Sequence, residues 1–156
     1  MATIIKATGI STDKSIKSSN QHAIEAGRQC IEDAGIDINH INLIINVGIY
    51  RDENMLEPAM AAFAQKGLNI KPDYTKSQPF NAAFSLDMMN SACGIINAIQ
   101  TADAVFKSRK IKYALIVSSD AHPSNTDHKG FPYATIGGAM LLEHTDDNKG
   151  FHDFSF

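Results

Sequence analysis

Cysteine is scarce in this chain: 156 residues hold two, Cys30 and Cys93, in dissimilar surroundings. That excludes a disulfide framework and points to a reducing, cytosolic compartment. Basic charge is not in excess either. A net charge of -3 and a pI of about 6.0 leave no general footprint for nucleic acid, and the cationic cluster from Lys107 to Lys112 reads as a solvated helix end. Long apolar runs are missing. No stretch approaches the ~18 apolar residues of a membrane span, and MATIIKATGI has too short an apolar run and the wrong flanks for a signal peptide. Neither GxGxxG nor GxxxxGK[ST] occurs, so Gly137-Gly138 is no phosphate cradle. His122, His128, His144 and His152 match no ligand spacing and have no cysteine pair nearby, so no metal is expected. His122 stands apart from the other three because it lies beyond a strand end, near Cys93.

What is present is the composition of one compact domain, 1–156: 44% hydrophobic and 20% charged, long enough for a real core. Short β-rich runs alternate with helical patterns, which predicts a layered α/β sheet. Residues 3–10 read as a first strand. A helix follows, with Ser19 or Asn20 as N-cap and Gly35 closing it. INLIINVGI, 41–49, is apolar throughout, as a strand buried on both faces would be. A second helix is expected over 56–66, with Pro58 in its first turn, and a loop over 69–80. Strands at 82–89 and 112–118 flank a third helix at 92–108. The polar loop 121–133 lies beyond a strand's carboxyl end, a usual place for ligand chemistry in open α/β sheets. Residues 134–143 and 150–156 would supply two last strands, and the second of these stops in mid-pattern, which suggests a half.

The run LDMMNSACGIINAIQTADAVFKSRKIKYALIVSSDAHPSN carries the chemistry. It sets Cys93 where an extended segment turns into a helix, among the unpaired N–H groups that favour thiolate over thiol. Free cysteine also fills cores as a small inert hydrophobe. Cys30 fits that role, since Ala23, Ala26, Gly27, Cys30, Ile31 and Ala34 share one helical face. Met55, Met60, Met88 and Met89 read as core filling ahead of an acyl groove, and Asp120 as a residue that orders its loop.

From Ala23 onward the blocks AIEAGRQCIEDAGIDINHINLIINVGI, FSLDMMNSACGIINAIQTADAVFKS, KYALIVSSDAHPSN and ATIGGAMLLE resemble, in order, the N-terminal half of the thiolase superfamily, closest to its β-ketoacyl-acyl carrier protein synthase III branch. The resemblance implies a βαβαβαββ mixed sheet with helices on its faces, one half of a five-layer αβαβα sandwich that dimerises. It implies Cys93 as the catalytic nucleophile, acylated by acyl-CoA or acyl-carrier protein as substrate, with no permanently bound cofactor. Claisen condensation with a malonyl thioester follows, in fatty acid or polyketide-type biosynthesis. The His and Asn that stabilise the enolate belong to a second half, so the implied partner is a C-terminal half, a homologous subunit or another copy of the chain. No nucleic acid and no membrane is expected.

Three departures qualify the match. Aligning Asp87 and Gly94 without a gap puts Ala92 on the nucleophile's position and Cys93 one residue later, about 100° around a helix. A turn one residue longer, absorbed at Asn90 or Ser91, brings Cys93 back. The tryptophan and arginine segment that clamps the CoA adenine is missing, and the chain has no Trp. The GDGAG turn is replaced by Ala134-Thr135-Ile136-Gly137-Gly138. Two functions follow: the N-terminal part of a condensing enzyme, or a thiolase-fold subunit that has lost chemistry and serves as scaffold for an active homologue. The side of the helix start on which the Cys93 sulfur lies discriminates them.

Overall fold

The computed structural model describes residues 2–71, 82–108, 111–147 and 149–151. Eight main elements follow in chain order: β1 (Ala2–Ser11), α1 (Ser19–Ala34), β2 (Ile41–Asn46), α2 (Met60–Gly67), β3 (Phe84–Asp87), α3 (Gly94–Ser108), β4 (Tyr113–Asp120) and β5 (Ile136–Thr145). The order βαβαβαββ is the one expected. The strands form one mixed sheet in the order β1-β5-β4-β2-β3. β2 runs parallel to both β3 and β4, while β5 runs antiparallel to β4 and β1.

The apolar runs of β2 and β4 are continuous because both faces of the sheet are covered. On one face Ile44, Leu115, Val117 and Leu141 pack under α1 and α2 with Ala26, Cys30, Ala61 and Ala64. On the other, Leu43, Ile45, Ala114, Ile116 and Leu142 pack under α3 with Ala98, Ala102 and Phe106. Small residues let α1 lie directly on the sheet. A Cβ at Gly9 would sit 2.2 Å from the Ala26 carbonyl oxygen, so β1 and the helix backbone touch there.

Boundaries shift where caps come from afar. The N-cap of α1 is Ser18, whose hydroxyl accepts from the Gln21 N–H at 3.1 Å, and Gly35 closes the helix in the left-handed region at φ 62°. Helix α2 starts at Met60, past the 56–59 stretch expected to be helical, because the Asp87 carboxylate accepts the Met60 and Ala61 N–H groups at 2.9 Å each and fixes the first turn there. Strand β2 stops at Asn46, whose side chain accepts from Gly48 N–H at 3.2 Å and turns the chain. The 92–108 helix divides into a 3-10 turn, Ser91–Cys93, and α3. The expected last strand shows as a single bridge between Phe151 and Thr3. Its residues 152–156, and 72–80 of the expected loop, lie outside the described residues.

Helix α3 covers only part of its face of the sheet. Beside it, Thr8, Ile10, Ile95, Ile116, Ser118 and Met140 line an open cavity of about 730 Å³. Ile10 is 61% and Ile136 40% exposed at its rim.

Candidate active site

The three parallel strands point their carboxyl ends to one edge of the molecule, and the loops there are held by carboxylates. Asp87, at the end of β3, accepts from the α2 start, from Arg51 Nη1 at 2.8 Å and from Asn46 Nδ2 at 3.3 Å. The Arg51 and Asp87 side chains are 5% and 12% exposed, so this is a desolvated pair that draws β2, β3 and α2 together. Asp120, at the end of β4, accepts the Ile49 and Tyr50 N–H groups at 3.1 and 2.8 Å. It orders the segment after β2, not its own loop. Asp52 accepts from Ser18 Oγ at 2.6 Å and from Ser19 N–H at 2.7 Å, capping α1 from another part of the chain.

On this frame the chain turns from β3 into α3 in six residues. The Met88 N–H donates to Asn46 O at 2.8 Å, Ser91 takes a left-handed φ of 48°, and the Cys93 N–H donates to Asn90 O at 3.0 Å. Gly94 then packs on Val47, which a Cβ would approach to 3.3 Å. Close packing behind the turn leaves Cys93 on the outside: its thiol is free and exposed. Cys30, by contrast, is fully buried in the core, and desolvation pushes its thiol up to about 11. Ala92 is exposed as well. Two residues beyond Cys93, Ile95 lines the cavity beside α3.

The 121–133 loop returns over the same edge. His122 and His128 stack at 4.5 Å, with Phe131 edge-on to His122 and to Tyr50. The Tyr133 and Tyr50 rings lie 4.4 Å apart, centre to centre, and the neighbouring Tyr133 phenol raises that of Tyr50 above its ordinary value. Among the described residues no group of three or more His, Cys, Asp and Glu is placed to hold a metal, and no helix is long and apolar enough to cross a membrane. Met60 is buried, Met55 is half-buried, Met88 is half-buried against the core under α3, and Met89 is exposed.

No family model matches the chain. A β-ketoacyl-[acyl-carrier-protein] synthase III from Wolbachia sp. subsp. Brugia malayi is 32% identical over 128 residues, covering 79% of this chain and 36% of that protein. Among solved structures, 3-oxoacyl-[acyl-carrier-protein] synthase III from Aquifex aeolicus VF5 superposes with a TM-score of 0.71 at 17% identity, over 94% of this chain and 55% of that one. Xanthomonas campestris OleA, solved with lauric acid and lauroyl-CoA bound, gives 0.71 at 17% identity over 92% and 56%. The chain has the thiolase-like fold of these solved structures and is similar in sequence to β-ketoacyl-[acyl-carrier-protein] synthase III. It spans about a third to a half of the length of the relatives it matches.

Within this thiolase-like fold, the expected site residue Cys93 lies at the start of α3 on the carboxyl edge, and His122 is on the same edge in the loop after β4. Of the carboxylates that organise the edge, Asp120 was expected to order its own loop and instead orders the segment after β2, while Asp87 and Asp52 were not expected in this role. Asp87 and Asp120 each end a strand with an acidic residue, a readable signal. Asp52 has none, since its partner Ser19 is 33 residues away.

Proposed function

We propose that the chain supplies the acyl-accepting, N-terminal half of a β-ketoacyl synthase III-like condensing enzyme. The Cys93 thiolate attacks the carbonyl of an acyl-CoA or acyl-carrier-protein thioester, and the carrier thiolate leaves. Decarboxylation of a malonyl thioester then gives an enolate and CO₂. The enolate attacks the acyl carbonyl on Cys93, and the cysteine thiolate departs as the β-ketoacyl thioester forms. Backbone N–H groups hold the oxyanion. The enolate-stabilising His and Asn come from a second thiolase-like half, on the same polypeptide or another subunit, seated on the apolar face beside α3. The setting is cytoplasmic fatty acid or polyketide-type biosynthesis.

One observation carries this reading: a free, exposed thiol stands at the start of α3, on the edge where the parallel strands end. The test is a burst of free CoA thiol on mixing the protein with acyl-CoA. We expect about one equivalent released per chain, none from Cys93→Ser, and turnover to a β-ketoacyl product only with the second half present. No burst from the native chain overturns the enzyme reading. The scaffold reading then takes its place, and the gapless alignment of Ala92 with the nucleophile position favours it.

A further inference from the structure

We propose that the His122–His128 stack is an acid-released latch that holds the 121–133 loop against the carboxyl edge of the sheet. The Gly130 N–H donates to His128 Nδ1 at 3.2 Å, and the Ser124 N–H donates to His122 Nδ1 at 3.3 Å, with Ser124 Oγ 2.6 Å from the same nitrogen. A backbone N–H only donates, so each Nδ1 offers its lone pair and each ring carries its proton on Nε2. Two neutral imidazoles then stack at 4.5 Å with planes 7° apart. A second proton on either ring has only Nδ1 to occupy, where an N–H already points. Protonation therefore breaks the turn's hydrogen bond, and protonation of both rings sets two cations face to face.

The stack ties down more than its own turn. Phe131 bridges His122 to Tyr50, and the Glu53 N–H donates to Pro123 O at 2.7 Å. Other charged groups around it are already engaged or add positive charge. Asp127 is held by Lys17 at 2.7 Å, Asp120 accepts from Ile49 and Tyr50, and Asp52 accepts from the α1 start. Lys129 is cationic and exposed beside His128, while Tyr50 and Tyr133 are paired with each other. Glu53 is the remaining acid, on the neighbouring segment. The latch does not depend on Cys93 or on the condensing reaction.

Asparagine places its side-chain oxygen where histidine has Nδ1 and accepts an N–H two residues on without titrating. The experiment is the amide spectrum of the ¹⁵N-labelled full chain at pH 8 and pH 5, in the native protein, H122N, H128N and the double variant. In the native protein the Ser124 and Gly130 amides move upfield in acid. H122N fixes Ser124, H128N fixes Gly130, and the double variant fixes both. The exposed His40, changed to Asn, leaves the response intact. Unmoved native amides, the same movement in the Asn variants, or loss of the response in His40→Asn each overturns the latch.

Discussion

Cys30 and Cys93 carry one functional group in two opposite settings, and the difference is a matter of what packs behind each. Cys30 lies on the buried face of α1 with its thiol pushed up to about 11 by desolvation, while Cys93 is exposed ahead of α3. Iodoacetamide at pH 7.5 is therefore expected to label Cys93 in the folded protein and Cys30 only after denaturation, read by peptide mass spectrometry. Equal labelling of the two in the folded chain would contradict the placement. The core role of Cys30 was legible in the sequence, because helical spacing reports a buried face directly. The outward position of Cys93 was not. It depends on a left-handed Ser91 and on Gly94 meeting Val47, and neither has a periodic signal.

At the scale of elements, the order of strands and helices was readable from alternating apolar patterns, and the start of α2 was not. Helix α2 begins where Asp87, 27 residues further on, caps it, and no local rule reaches that far. Asp87→Ala removes this cap and leaves the Arg51 guanidinium buried and unpaired, with an expected cost of about 3–5 kcal/mol. Arg51→Met with Asp87→Leu removes both charges and is expected to recover all but the helix cap, about 1 kcal/mol. Urea unfolding of the two variants checks this; a double variant as unstable as Asp87→Ala would contradict it. A second joint binds β1 and β4 to β5 through Glu143, which Lys6 and Lys112 approach to 3.0 and 3.2 Å. Burial raises the Glu143 carboxyl, but hydrogen bonds and charge from Lys6 and Lys112 outweigh it and hold the group below its ordinary value. A lowered folded value adds stability above the carboxyl's unfolded pKa, and that stability is lost as pH falls through the folded one. Glu143→Gln is thus expected to lower the melting temperature at pH 7 and to narrow the gap from the native protein in acid.

For the whole molecule, the feature that matters is asymmetric coverage. One face of the sheet lies under α1 and α2, and the other is only partly under α3, with Ile10 and Ile136 exposed beside an open cavity. The fold class was legible from the resemblance, which implied half of a sandwich, but the position of the bare face required the packing of α3. If the second half seats there, Ile10→Lys and Ile136→Lys weaken its association, seen in light scattering or ultracentrifugation, while the melting temperature of the chain alone holds. Undiminished association in both variants would move the interface elsewhere.

Whether Cys93 accepts an acyl group is decided by peptide mapping of the native protein after incubation with acyl-CoA. We expect one acyl mass increment on the peptide that contains Cys93, discharged by hydroxylamine, and none on Cys30. An unmodified Cys93 in a protein whose Cys93 still takes iodoacetamide would contradict it.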